Sequence, residues 1–451
     1  MPMRPSKRNL GHAVRGAYVS GASIILRNVR IMASPPTSRH LAGFDSLRLV
    51  AAVSVMFSHS YLIGTGSEQT EPFVRLLGPK NIIGLYGVFT FFIISGFLLA
   101  RSLERNPCAI TYAVNRSLRI LPGFLLCTLV TVLVIGPAFS THGVAGYFTH
   151  PGTFAFLRDS INSLGEMPLP GVFSYSGERL ATSVNGSLWS LRSEALSYVF
   201  LLASWLVFRP GLFASTFIAA VAAATLVSWD AFSVIPGVAY TLPYFAGGVL
   251  MNWVHRRFGT CWQGALLCAC ALVVSACFGQ QAVAFALFGA YLIVYAGERP
   301  NFATRAIDRL GDCSYGVYLY GWPVQQMVRQ TTGVTDPLVL FSISVPLALL
   351  PAMASYHLVE KPAMDLKRRT GESAKSLVHR VLTTLGPGRG AAVFTAKVAF
   401  VCGSILVLTS SKQWYDFMES MAMVLGATVV CAMAAGLAFP VISRVWIQRV
   451  R

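Results

Sequence analysis

Charge is scarce in this 451-residue chain: Asp, Glu, Lys and Arg make up 12% of it, against about 25% in an ordinary soluble domain. That excludes a globular protein with the usual polar surface. Acidic residues are the scarcest, 18 against 36 Lys and Arg. None of the nine cysteines pairs at Cys-x-x-Cys spacing, so neither a metal site nor a disulfide framework is expected. Within helices these cysteines act as small apolar residues. The basic residues show no interleaved aromatic platform, which argues against nucleic acid. The run Ala22–Leu26 is too short for the apolar core of a signal peptide. Internal repeats and a soluble catalytic domain are also missing.

What the chain has in abundance is apolar length. Hydrophobic residues account for 54% of it. Apolar runs fall near 45–63, 82–100, 118–139, 186–207, 212–229, 232–253, 262–279, 282–296, 311–328 and 338–359, and two more near 391–410 and 419–440. Each is close to the roughly 20 residues that cross a bilayer as a helix. The expected fold is therefore all-α: a polytopic membrane protein with a core of about ten helices and a C-terminal two-helix hairpin. Four parts follow: a basic N-terminal segment (1–40), a transmembrane domain (41–362), a basic linker (363–390) and a C-terminal pair of spans with a short basic tail (391–451). The connection over 140–185 is the longest between spans, long enough to cap a site.

The formal net charge of +18 is distributed by topology. Arg4, Lys7, Arg8, Arg15, Arg27, Arg30 and Arg39 precede the first span without one acidic residue. Further clusters stand at Arg101/Arg105, Arg256/Arg257, Arg299/Arg305/Arg309, Lys361/Lys367/Arg368/Arg369 and Arg444/Arg449/Arg451, in alternate connections. By the positive-inside rule both termini belong in the cytoplasm of a bacterial-type inner membrane.

Ionisable residues inside spans are costly, so each is a functional candidate. Arg48 and His59 share the first span, eleven residues apart. That is three helical turns and roughly 16 Å along one face. Arg116 and Arg119 stand at i, i+3 on one face near the start of the third span. Glu194 lies about two turns into the fourth, beside Arg192. A neutral imidazole can take a proton from a hydroxyl nucleophile, a carboxylate can orient that imidazole, and arginines suit the phosphates of a nucleotide-bearing donor. Bland readings stand beside these: a packed histidine, topological anchors, a structural Arg192–Glu194 pair. Spacing alone equally describes a proton-coupled transporter or exporter of a small anion.

The order of the motifs separates the two. The stretch Leu41-Ala-Gly-Phe-Asp-Ser-Leu-Arg48, with His59 eleven residues on, resembles the opening Arg-x10-His helix of the acyltransferase-3 family. Gly87 to Leu98, with its core Ser95-Gly96-Phe97, is similar to the family's second-helix motif. Arg116-Ser-Leu-Arg119 resembles its Arg-x-x-Arg, and Trp189-Ser-Leu-Arg-Ser-Glu194 its Trp-Ser-Leu-x-x-Glu. Ser314 to Pro323, including Trp322, and Tyr356 to Pro362 are similar to its ninth- and tenth-helix signatures. Two departures stand out. Ala195 replaces a second Glu found in many members, and Gly321 replaces a His.

The resemblance implies an O-acyltransferase that moves an acyl group, acetyl by default, from cytoplasmic acyl-CoA to a hydroxyl of a lipid-linked or exported glycan. It gives His59 the role of general base or transient acyl carrier, with Glu194 orienting it. Arg48, Arg116 and Arg119 would bind the donor. Ser95, Gly96, Trp189 and Trp322 are the further motif residues. Acyl-CoA, a glycan or glycolipid acceptor and membrane lipids are the partners expected, with no bound cofactor.

Overall fold

A computed structural model of the chain describes residues 42–79, 81–163, 168–173, 183–207, 238–299 and 312–365, together with 214, 217, 218 and 221. The N-terminal segment 1–40, most of the run at 212–229, the linker beyond 365 and both C-terminal spans lie outside the described residues.

The first helix, α1 (Ala42–Thr65), is followed by the short α2 (Pro72–Leu77) and by α3 (Ile83–Arg105). Next come α4 (Ala109–Phe139), α5 (Gly143–Thr149) and α6 (Pro151–Ser163). The chain continues through α7 (Trp189–Val207), α8 (Val238–Phe258), α9 (Trp262–Cys277), α10 (Gln281–Gly297), α11 (Ser314–Thr332) and α12 (Pro337–Asp365). No strand occurs among the described residues; Ser140 and Val172 form an isolated bridge. Gly43–Thr65 of α1, α3, α4 and α12 are long and apolar enough to cross a membrane, and α9 and α10 are shorter apolar helices. The chain is an all-α membrane protein. Apart from 212–229, each of the first ten apolar runs coincides with a described helix.

Local chemistry sets several helix ends. Asp336 caps α12, accepting from the backbone N–H groups of Leu338 and Val339, with Pro337 at the first helical position. Gly333, at φ 70°, closes α11. The N-terminus of α3 is capped from a distance: the buried Glu71 accepts from the Ile83 N–H at 2.7 Å and from Ser58 Oγ at 2.9 Å. Ser58 in turn accepts from the Gly84 N–H at 2.7 Å.

Helix α1 is the hub, packed against α3, α10, α11 and α12. In lipid, apolar burial alone gives helices little reason to associate, so close packing carries the assembly. The α3–α8 contact shows how. A Cβ added at Gly96 would lie 2.1 Å from the Phe245 carbonyl oxygen, and one at Gly248 would lie 2.1 Å from that of Ile93. Only glycine lets these backbones touch.

One end of the bundle carries most of the described charge. There the start of α1 meets the end of α10 at Gly43 and Gly297, and Phe44 stacks on Phe97 near the end of α3 at 5.6 Å. Glu104 at the end of α3 pairs with Arg256 at the end of α8 at 2.6 Å. This basic end is the frame for the site.

The long connection over 140–185 differs from the loop expected. It folds into α5 and α6, which bury Tyr147 and Phe156 with Leu169, Val172, Phe173 and Val184 against Val132 and Ile135 of α4. A π turn at Thr131–Ile135 frees the Val132 carbonyl, which accepts from Tyr147 Oη at 2.9 Å. The short helices rest on this tertiary cluster rather than on any strong sequence period of their own.

Candidate active site

The described cavity lies toward the basic end, between α1, α3, α4, α7 and α11. Arg48 enters its wall from α1, Ser95 from α3, Arg116 and Arg119 from α4, Glu194 and Tyr198 from α7, and Ser314, Tyr315 and Tyr318 from α11. Five of the candidate residues thus meet in one place, although they come from four helices.

Glu194 reaches this depth because the segment before α7 is itself inside the protein. Ser183 through Leu188 are all buried. Asn185 Nδ2 donates to the Leu319 carbonyl at 2.9 Å, and Trp322 Nε1 to that of Ser183 at 2.7 Å. Irregular backbone is tolerated at membrane depth when protein surrounds it. Glu194 then accepts from Tyr198 Oη and, at 3.5 Å, from Ser95 Oγ. Tyr198 is one helical turn from Glu194, a spacing the sequence displays openly.

A residue that sequence reasoning passed over ties the arginines together. Asp312 Oδ2 pairs with Arg119 and lies 3.6 Å from Arg48 Nη1, while Arg48 also meets Asp45 at 3.1 Å. Asp312 Oδ1 accepts from Ser314 Oγ at 2.5 Å. Burial alone would raise the Asp312 carboxyl, but the Arg119 and Arg48 guanidiniums outweigh it and hold it below the ordinary carboxylate range. Arg116 sits differently, 5.9 Å from the centre of the Tyr198 ring.

His59 is elsewhere. Its ring packs edge-on against Trp322, with centroids 4.6 Å apart, and its Nδ1 is buried without a hydrogen-bond partner. Gln325, one turn beyond Trp322, donates to the Met56 carbonyl at 2.8 Å. The buried Gln325 Oε1, Ser183 Oγ and Ser187 Oγ also have no partner. Two helices measure the height of this level above the cavity. His59 is eleven residues from Arg48 along α1, and Trp322 eight from Ser314 along α11, so the separation is about 12–16 Å. His59 does not line the cavity that holds Glu194.

The remaining motif residues do not line the cavity. Gly96 faces the α8 backbone, not the cavity. Trp322 is buried on all sides: a Cβ on Gly186 would lie 2.6 Å from its ring, and His59 covers another part. Trp189 begins α7, partly buried. Glu360, buried in the π turn Tyr356–Glu360 of α12, accepts from Ser355 Oγ at 2.9 Å. No cluster of metal-ligating residues occurs among the described residues.

Comparison with known proteins shows what the chain resembles. A family model described as an acyltransferase domain matches residues 41–357. The O-acetyl transferase of Shigella phage Sf6 is 29% identical over 354 residues, 70% of this chain and 94% of that protein. Nodulation protein 10 of Rhizobium leguminosarum bv. viciae is 29% identical over 372 residues, 74% of this chain and 96% of that protein. The exopolysaccharide production protein ExoZ of Rhizobium meliloti is 27% identical over 308 residues, 64% and 92% respectively. No solved structure matches significantly.

Proposed function

The chain belongs to the acyltransferase family whose model spans residues 41–357, and on that premise we propose that it carries acetyl groups from acetyl-CoA to a hydroxyl of a lipid-linked or exported glycan. The observation that carries this reading is the convergence of Arg48, Arg116, Arg119, Ser95 and Glu194 in one cavity at the basic end. Guanidiniums suit phosphate, and the positive-inside rule puts this end in the cytoplasm, where acyl-CoA is found. The same rule sets both termini on that side of an inner membrane.

The donor's phosphates are held at the cavity, and its long pantetheine arm runs toward the level of His59. His59, as a neutral imidazole, accepts the proton of the acceptor hydroxyl while that oxygen attacks the thioester carbonyl carbon. The carbon–sulfur bond breaks, and the thiolate takes the proton back from the imidazolium to leave as CoA thiol. A two-step variant with an acyl-imidazole on His59 has the same balance. Glu194 serves the donor end, holding the Tyr198 and Ser95 hydroxyls in place. The name of one relative, O-acetyl transferase, supports acetyl transfer to a hydroxyl, and that of another, exopolysaccharide production protein, supports a glycan acceptor.

The test is transfer itself. Membranes containing the protein are incubated with radiolabelled acetyl-CoA and a panel of envelope glycans. Label in a glycan is the expected result. Acetate moving across sealed vesicles with no glycan labelled would support a transporter instead.

A further inference from the structure

The cavity is not an open cationic hole. Arg48, Arg116, Arg119 and Glu194 line it, and Asp45, Asp312 and Glu360 stand close to the arginines. These charges do not pair evenly. Arg48 is shared by Asp45 and Asp312, and Arg119 is bound by Asp312. Glu194 is taken up by two hydroxyls. Arg116 alone of the three arginines has no carboxylate within ion-pair distance among the described residues, and lies over the Tyr198 ring.

We propose that Asp312 is a positioning residue, clamping Arg48 of α1 and Arg119 of α4 onto the first turn of α11, and that Arg116 is the guanidinium that reads the phosphates of a coenzyme A-type donor. The assignment rests on the acyltransfer reading above. Two physical arguments carry it. Drawing Arg48 and Arg119 away to a ligand would strip the Asp312 carboxylate, only 15% exposed, of its partners, which is unfavourable. Arg116 has no such cost, and a guanidinium resting on an aromatic face keeps its in-plane N–H groups available for a bidentate phosphate contact. Asp312 meanwhile joins helices far apart in sequence: its bond to Arg119 spans 193 residues. With Ser314 fixing its second oxygen, the carboxylate holds two walls of the cavity at a set distance.

The experiment combines acetyl-CoA kinetics, CoA binding and thermal midpoints on the detergent-solubilised full chain. Arg116→Gln is expected to raise both the KM for acetyl-CoA and the Kd of CoA by about tenfold to a hundredfold, as for a lost hydrogen bond to a charged group. It should also flatten the dependence of KM on ionic strength. Asp312→Asn should lower kcat and the thermal midpoint with a smaller change in KM, and Asp312→Glu should recover part of both. Combined with Arg119→Gln, Asp312→Asn should cost little beyond either change alone; combined with Arg116→Gln, the effects should multiply. An unchanged CoA Kd in Arg116→Gln, with a raised one in Arg119→Gln, would overturn the assignment. So would tighter CoA binding by Asp312→Asn, which would make Asp312 a competitor of the donor. Failure of the acyltransfer reading looks different. A wild type that neither binds CoA nor transfers acetyl removes the donor and Arg116 with it, while the Asp312–Arg119 thermal cycle still decides the clamp.

Discussion

The two levels of the bundle, joined by α1 and α11, are opposite in electrostatic character. At the basic end, charge is dense: Arg48, Arg119, Asp45, Asp312 and Ser314 form a connected network around the cavity, with Arg101 Nη1 and Glu360 Oε2 buried and unpartnered beside it. At the level of His59 no described charge pair occurs; buried polar atoms of His59, Gln325, Ser183 and Ser187 stand without partners. On the proposed reading, this network holds the shape of the cavity and leaves Arg116 to bind the donor. Unmatched polar atoms in a low dielectric are costly, and such sites are where chemistry is placed. The proposed function gives recognition of the donor to the charged level and proton or acyl transfer to the level of His59.

The largest blow to that contrast should come from His59→Ala, which removes the imidazole packed on Trp322. Turnover should fall by about 10²–10⁴-fold, the usual worth of a general base, while the KM for acetyl-CoA stays near the wild-type value in a steady-state assay. Gly186→Ala disturbs the same level without touching a titratable group, because the added carbon would meet the Trp322 ring at 2.6–2.8 Å. We expect kcat to drop about tenfold to a hundredfold, as for a catalytic group displaced by an ångström. A fall in acetyl-CoA affinity instead would mean the levels are not separable.

Smaller effects sharpen the lower level. Ser95→Ala removes a hydrogen bond to Glu194 that is long, at 3.5 Å. Activity should fall about fivefold or less, since such a bond is worth at most about 1 kcal/mol. The smallest effect concerns pH. Asp312 is depressed below its ordinary value of 3.8, so its ion pairs contribute fully above that value and are lost as pH falls through the lower folded one. Thermal midpoints should be unaffected by this group between about pH 7 and pH 5 and should decline in acid below 3.8. Asp312→Asn should remove its share of that decline.

Much of this was legible in the sequence. Long apolar runs specify membrane helices because lipid leaves few alternatives for a polar backbone, and α1, α3, α4 and α12 lie where the runs do. The cavity residues were legible because charge inside a span must be justified. Asp312 was not, since an acid at the edge of an apolar run reads as interfacial, and its partners Arg48 and Arg119 are distant in sequence. The depth of Glu194 was hidden too. Counting turns from the start of α7 puts it near the membrane surface, whereas the buried Ser183–Leu188 segment carries the helix start inward. Helices α5 and α6 were masked by a composition of Gly, Pro, Ser and Thr, and depend on a core supplied partly by α4.

The most direct test is a side-by-side determination of kcat and the KM for acetyl-CoA in His59→Gln and Arg116→Gln, using label transfer to the glycan acceptor. The account predicts that the first change falls on kcat and the second on KM. Turnover retained by His59→Gln, or both changes falling on the same constant, would contradict the division of labour between the two levels.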